Sequence, residues 1–521
     1  EPMSRTHRAS IAASFAYLQF GLSIVVGIVL VPFVLHRIGE RLYGYWLASG
    51  EVLAYAAMAD FGVMGVVPWL IAEADGRGDR RGMQRIMSNA SCAAVFVSLV
   101  YGLLVVVLWR LAPGVLNLGV ADRDAIAGPL TVIATAAAIV LPLRIAGSTL
   151  VGLQDVKFYG YISTGTWALD LLITVVLLFR GYGLYALAIG AAIPSLINAA
   201  VMAARLRSLA PDLTRNWPLP AFGDVARLFR EGFGAWLGAW GWRLSVATDA
   251  IVLASLGHPI WITMLAMTAK LGQMMTQMSW VPGDSSLVGL AQLSGEQRPD
   301  RLRDAVAAVF RVYLALAGGA ACILLAVNGA FVSAWVGAHL FGGTSLNVVL
   351  AMLIVVSTLS HALAVVVSAL GRRLHVGLAT LTSGGVQVAL AVYLGRRFGL
   401  IGIPLASLCA QAVVLVPLLL PALSERSGLT VAGFGRDVVR PWAARSLPPI
   451  VLCAGVGALA LRLPLPGAVV VGGLIGLTYT WFARPLILGY PPVASLIRGR
   501  LAAWRLDGLL ALAGGDGRGT P

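Results

Sequence analysis

Apolar runs of 20–25 residues recur along the whole chain, and this constrains the fold more than any other feature. A helix that crosses a bilayer needs about 20 apolar residues. Inside hydrocarbon every backbone N–H and C=O must be paired within the protein, which leaves helices or a closed barrel. The runs do not alternate, so they read as helices. Hydrophobic residues make up 59% of the 521 and charged residues 12%. A soluble domain carries about 25% charged residues, so this chain has too little polar surface to solvate a globule.

Fourteen spans are placed at 12–35, 44–70, 89–111, 125–148, 160–180, 184–206, 232–256, 260–283, 305–327, 345–370, 376–395, 400–422, 441–462 and 467–489. The first follows Arg5 and Arg8 and is longer than the apolar core of a signal peptide, about 7–15 residues. The net charge of +15 is read as topology and not as an affinity for nucleic acid. With the N-terminus inside, and residues toward a span end counted with the adjoining segment, the 38 Lys and Arg divide 27 to 8 in favour of the cytoplasmic side, Arg243, Lys270 and Arg311 being left out of the count. That bias predicts a multi-pass protein of the bacterial cytoplasmic membrane with both termini cytoplasmic. Nearly all the basic residues are Arg, Lys157 and Lys270 being the exceptions, which fits a high-GC source.

A repeat is visible. Gly183-Leu184 and Gly399-Leu400 each open a span after a short loop, and Gly160 and Gly377 sit near the starts of the preceding spans. The offsets are 216 and 217 positions. The expected organisation is an N-lobe of spans 1–6 (1–206), a cytoplasmic linker (207–231) and a C-lobe of spans 7–12 (232–422). Two extra spans (441–489) and a cytoplasmic tail (490–521) follow, the tail with an amphipathic helix at 496–510. Repeats of this kind are common in secondary transporters, with the substrate between the halves.

Charges at membrane depth are the candidate functional residues. In the seventh span Trp236, Trp240, Arg243 and Ala247 fall on one helical face. A guanidinium binds phosphate bidentately and indoles suit sugar rings; a snorkelling Arg beside an interfacial aromatic belt is the other reading. Asp249 lies six residues past Arg243, about 120° around the helix. In the eighth span Thr263, Met267, Lys270, Met274 and Gln277 share a face, with Lys270 far from either end. The fifth span aligns Ser163, Trp167, Asp170 and Thr174; the second aligns Glu51, Tyr55 and Met58, with Asp60 elsewhere on it; Arg144 lies in the fourth. Asp170 could pair with Arg144, and Asp249 with Lys270, either as glue between helices or as parts of a pathway.

Signals of catalysis are absent. His7, His36, His258, His339, His361 and His375 form no HExxH motif and no pair at metal spacing, and no phosphate-binding GxxxxGK[ST] loop exists. Cys92, Cys322, Cys409 and Cys453 make no CxxC pair and read as small hydrophobes. No loop is long enough for a soluble catalytic domain, so a membrane-bound glycan polymerase or ligase is disfavoured and the chain reads as no enzyme.

The run from Val31 to Trp46 (VPFVLHRIGERLYGYW) resembles the end of the first span and first external loop of polysaccharide transporters in the MOP superfamily. Asp60-Phe61-Gly62 looks like that family's Asp-aromatic/aliphatic-Gly, and Gly147 to Tyr161 (GSTLVGLQDVKFYGY) resembles its connection between spans four and five. Thr248-Asp249 and Trp335-Val336-Gly337 are similar to its motifs in the seventh span and after the ninth. The resemblance implies an all-α, two-lobed transporter with a central cavity and alternating access. Its cargo would be an undecaprenyl-diphosphate-linked oligosaccharide of O-antigen, capsule or exopolysaccharide, its partners membrane lipids and a polysaccharide polymerase complex. It implies no resident cofactor and no metal, with proton or sodium coupling left open. Arg243, Lys270 and Arg144, with Trp236, Trp240 and Trp167, would meet the cargo; Asp249, Asp170, Asp60 and Glu51 would be the coupling candidates. A lipid II flippase and a MATE-like exporter of organic cations are the alternatives. The cavity arginines expected of the former are not found in the first two spans, and Arg and Lys in the interior count against the latter.

Overall fold

The structure, a computed structural model, describes residues 21, 26–27, 29–153, 155–214, 218–284, 290, 299–460 and 464–488. The N-terminal half of the expected first span and the tail with its expected amphipathic helix lie outside the described residues.

Every regular element among the described residues is helical. In chain order the longer ones are α1 (Val29–Ile38), α2 (Glu40–Ala57), α3 (Val63–Gly76), α4 (Arg80–Val115), α5 (Val120–Gly152), α6 (Val156–Phe179), α7 (Leu184–Leu209) and α8 (Phe222–Ser255). They continue with α9 (Pro259–Asp284), α10 (Pro299–Trp335), α11 (Thr344–Ala369), α12 (Arg373–Phe398), α13 (Gly402–Ala410), α14 (Val416–Ser427), α15 (Arg440–Ala460) and α16 (Leu465–Leu488).

Among the described residues, eight helical stretches are long and apolar enough to cross a membrane. One of them, Arg373–Ser427, is 55 residues long and holds two of the expected spans. The two are divided at Gly399, whose φ of 61° only glycine adopts readily. Gly183, its counterpart in the repeat, also has positive φ, 55°. α6 carries exposed Tyr161 at one end and Phe179 at the other, with exposed Leu172 and Val176 between. Eighteen positions of helix separate the two rings, roughly 27 Å, which is the spacing of two aromatic belts around hydrocarbon. The protein is a multi-pass, all-helical membrane protein.

Contacts divide the chain into two units. Unit 1 is Glu1–Met267 with Arg373–Ala410; unit 2 is Thr268–Arg372 with Gln411–Pro521. In unit 1, α7 packs on α5 and α6, α8 packs on α12, and α3 packs on α5. One of its apolar clusters gathers Ile71, Met83, Met87, Ile145, Leu150, Met202 and Leu206 from α3, α4, α5 and α7. In unit 2, α10 is the central post, two thirds of its most apolar stretch being buried. It packs against α11, α15 and α16. Trp442 of α15 donates its indole N–H to Leu314 O (2.7 Å), and Ser446 of α15 hydrogen-bonds the Tyr479 hydroxyl of α16 (2.8 Å) beside Gly318.

The expected second span, 44–70, is not one helix. It breaks at Met58–Gly62, where Phe61 (φ 48°) and Gly62 (φ 75°) are both left-handed. Asp60 stabilises this turn by accepting the Gly62 N–H (3.0 Å), the Asx arrangement that lets a short acidic side chain replace a backbone partner. The break frees backbone groups at membrane depth, which is tolerated only where protein or a cavity satisfies them. α8 does this. Trp236 donates its indole N–H to Met58 O at 2.6 Å and stacks on Phe61 at 5.0 Å. Gly232, one turn earlier on α8, lies directly on the Phe61–Gly62 backbone.

Candidate functional site

Three helices of unit 1 each turn one face toward a common cavity of about 530 Å³. On α5 the face runs Val140, Leu143, Arg144, Gly147, Ser148, Val151; on α6 it runs Tyr159, Ser163, Thr166, Trp167, Asp170. On α7 it runs Ala191, Pro194, Ser195, Asn198, Met202, and α3 adds Pro68. These spacings of three, four, seven and eleven follow from the 3.6-residue turn. Eleven positions give a slot roughly 16 Å long along the helix axes.

Two features make the cavity chemically distinct from a packing gap. Arg144 is exposed to it and has no hydrogen bond or salt bridge among the described residues; the carboxylate of Asp60, at the helix break, acts on it through space. Asp170, at the same wall as Trp167, accepts a hydrogen bond from Thr174 (3.2 Å). The expected Asp170–Arg144 ion pair is therefore not made, although both line the cavity. Asn198 of α7 donates to Thr166 Oγ1 of α6 (3.0 Å), and the Thr166 hydroxyl donates in turn to Ile162 O (2.8 Å), so the amide and hydroxyl are fixed in orientation. The slot thus holds one free guanidinium, one carboxylate, an indole and an oriented array of amide and hydroxyl groups.

A second cluster lies where α2 meets α8. Arg243 Nη1 and Glu51 Oε2 are 3.1 Å apart, each side chain about 30% exposed. The Arg243 guanidinium on α8 thus already has a counter-ion. The Tyr55 and Thr248 hydroxyls are hydrogen-bonded, and the Tyr55 ring packs on Trp240 at 5.7 Å. The Trp240 indole N–H is buried without a partner. Next to Thr248 on α8, Asp249 accepts from Gln387 of α12 (3.4 Å), whose amide also donates to Ser245 O and Ser407 Oγ, both at 2.7 Å. Lys270 belongs to unit 2, half-buried on α9, and has no hydrogen bond or ion pair among the described residues of that unit.

The structure thus gathers Arg144, Trp167 and Asp170 at one cavity, with Asp60 beside it, and gathers Glu51, Trp236, Trp240, Arg243 and Asp249 along α8. The contribution of α7 was missed in the sequence. Its signal was there: Ser195 and Asn198 repeat at helical spacing with Ala191 and Met202 in an otherwise apolar span. Among the described residues no group of three or more His, Cys, Asp or Glu is placed to hold a metal ion.

This arrangement of helices is a fold shared with solved membrane flippases and exporters. The chain is similar to a lipid II flippase, MurJ, in an inward closed conformation, with TM-score 0.63 and 14% identity over 91% of this chain and 99% of that one. It is similar to an inward-facing multidrug resistance MATE transporter of the MOP superfamily (TM-score 0.59, 14% identity, 82% and 96% covered). A eukaryotic MATE transporter, AtDTX14, gives TM-score 0.52 and 15% identity, with 81% and 99% covered. No protein-family model matches the chain, and no curated protein matches it.

Proposed function

We propose that the protein is a MOP-type transporter that moves an undecaprenyl-diphosphate-linked oligosaccharide from the cytoplasmic to the periplasmic leaflet of a bacterial inner membrane by alternating access. In this reading spans 1–6 (1–206) and 7–12 (232–422) are the two halves, and both termini are cytoplasmic.

The observation that carries the proposal is the 530 Å³ slot at membrane depth with Arg144 unpaired, Trp167 beside it, and Thr166, Ser195 and Asn198 around it. An anion brought into low dielectric needs a cation, and a guanidinium meets a phosphate with two parallel hydrogen bonds. An indole face with oriented hydroxyl and amide groups suits a sugar ring. Arg243 is a second cation for the diphosphate, reached by exchanging Glu51 for a phosphate oxygen. Lys270, in unit 2, is a further candidate cation. Asp170, Asp60 and Asp249 are the carboxylates available for proton or sodium coupling, and a polysaccharide polymerase complex would take up the product.

Asp170 in the cavity wall favours a second reading, export of an organic cation as in a MATE transporter. A lipid II flippase differs from the main reading only in its cargo. The deciding experiment is the exposure of an undecaprenyl-diphosphate oligosaccharide in the opposite leaflet of proteoliposomes, wild type beside Arg144→Gln and Trp167→Ala. Accelerated exposure in the wild type, reduced at least tenfold in Arg144→Gln, is expected. Wild-type vesicles that leave the glycan in place and instead accumulate a small organic cation against a proton or sodium gradient would replace the reading with the second one.

A further inference from the structure

The slot between α5, α6 and α7 holds two opposite charges that do not pair. Among its described lining residues Arg144 and Asp170 are the only charged ones. Their separation can be read on α7, which packs on both other helices. α5 and α7 run parallel: Gly128 lies against the Tyr185 hydroxyl, and Gly147 lies against Met202, where an added Cβ would stand 3.9 Å from Met202 Cγ. Asp170 of α6 meets α7 at Gly190, its Oδ1 3.0 Å from the place of a Cβ there. Gly190 and Met202 are twelve positions apart on α7, roughly 18 Å. Arg144 stands three positions before Gly147, roughly 4.5 Å nearer to Asp170. The backbone levels of the two charges therefore differ by roughly 13 Å, and what their side chains leave of it is the length of a small ligand.

The two ends differ in chemistry. Trp167 stands one turn from Asp170 on the same face of α6, so the acidic end offers a carboxylate beside an indole. That pair suits an ammonium group, which a carboxylate attracts by charge and an indole by its ring face. The other end offers the Arg144 guanidinium, which meets phosphate oxygens two at a time. Asp60 acts on Arg144 through space, but its carboxylate accepts the Gly62 N–H and belongs to the helix break. Thr166 and Ser195 line the slot between the two levels. A ligand of one sign would leave half of this site opposed: a bare phosphate would face Asp170, and a bare amine would face Arg144. A ligand that carries both signs satisfies both ends.

We propose that the slot binds a 2-aminoalkyl phosphate unit, P–O–C–C–N, with its phosphate at Arg144 and its ammonium between Trp167 and Asp170. Two kinds of molecule carry this unit: a 2-amino sugar 1-phosphate with a free amine, and a phosphoethanolamine lipid headgroup. The binding site stands without transport. Taken with the transport reading, on which this part rests, it makes the sugar next to the diphosphate of the cargo a 2-amino sugar.

The test is calorimetric titration of the full-length protein in detergent. The probes are glucosamine 1-phosphate and dihexanoylphosphatidylethanolamine, against glucose 1-phosphate, glucosamine and dihexanoylphosphatidic acid. At least one of the two dipolar probes is expected to bind tenfold or more tighter than its single-charge controls. Asp170→Asn keeps an acceptor for Thr174 and should remove the advantage over the amine-free controls. Arg144→Gln should remove the advantage over glucosamine, and Arg144→Lys should restore part of it; Trp167→Ala, expected to weaken the dipolar probes, serves if Arg144→Gln does not fold. A preference for the sugar phosphate points to cargo and a preference for the lipid to a bilayer headgroup, and either supports the site. Dipolar probes no tighter than their controls, or an advantage that survives the substitutions, overturn it. Charge-dependent binding by a protein that moves no lipid-linked glycan bearing such a sugar in proteoliposomes refutes the transport reading and leaves the binding site standing.

Discussion

Replacing Gly232 by Ala should loosen the seal over the broken helix. A Cβ at this position would lie 2.7 Å from Phe61 O, 2.8 Å from the Gly62 carbonyl carbon and 3.0 Å from Gly62 O. All three are backbone atoms of a left-handed turn and cannot rotate away, so α8 must retreat by about 0.7 Å to restore ordinary van der Waals separation. Trp236 is one turn along the same face. The same retreat would stretch its 2.6 Å hydrogen bond to Met58 O to about 3.3 Å, past the upper end of the range for N–H···O bonds. Overpacking of this sort costs about 1–3 kcal/mol. Alanine is the better helix former by about 1 kcal/mol, which offsets part of it, and the net expectation is about 1–2 kcal/mol of destabilisation. The assay is thermal unfolding of the purified protein in detergent. Gly165→Ala is the control, since nothing lies within 4 Å of its added Cβ. Gly232→Ala should melt several degrees below wild type and Gly165→Ala at or above it. Equal melting of the two variants would refute the argument that α8 closes the break by backbone contact.

Trp236→Phe keeps an aromatic ring against Phe61 but leaves Met58 O without its donor, so a loss of about 1–3 kcal/mol is expected in the same melting assay. Glu51→Gln and Arg243→Gln should be non-additive, with a coupling of about 0.5 kcal/mol or more in a double-mutant cycle; strict additivity would mean that the pair contributes nothing. Ser163→Trp should fill the slot between α5, α6 and α7 and abolish glycan translocation without changing oligomer or fold by size-exclusion chromatography. Asp437 lies in the turn before α15, outside the spans. Arg436, hydrogen-bonded to its carboxylate, holds it below the usual carboxylate range against desolvation, and Arg303 adds to this. A lowered folded-state value gives stability that is present above the ordinary carboxylate range, near pH 4, and lost as pH falls below it. The melting difference between wild type and Asp437→Asn should therefore be full at neutral pH and close below about pH 4.

The membrane fold was legible because hydrophobic run length is a local property, readable span by span. The left-handed glycines at 183 and 399 were legible for the same reason: a turn after an apolar run announces itself. The break at Met58–Gly62 was not. Nothing in the apolar run 44–70 forbids a continuous helix, and what holds it open is Trp236, almost two hundred positions away. Helical phase correctly grouped Ser163, Trp167 and Asp170 on one face, and the structure turns that face to a cavity. Phase could not say that Arg243 meets Glu51 while Arg144 stays unpaired, because the register between distant helices is set by packing and not by either sequence alone. Asp170 shows the same limit: its hydrogen-bond partner is Thr174 on its own helix, one turn away, and not the guanidinium across the slot.

The central position of α10 sets a schedule for biogenesis. The helices that cover it, α15 and α16, are the last of the described chain to be made, and α16 ends about 150 residues after α10 does. At ribosomal rates of about 5–20 residues per second, the Gly318–Cys322 face waits roughly 8–30 seconds for its lid. During that interval a helix meant to touch only protein must stand against lipid or a chaperone, so a chain stopped before α15 would offer a long small-residue groove to any neighbouring helix.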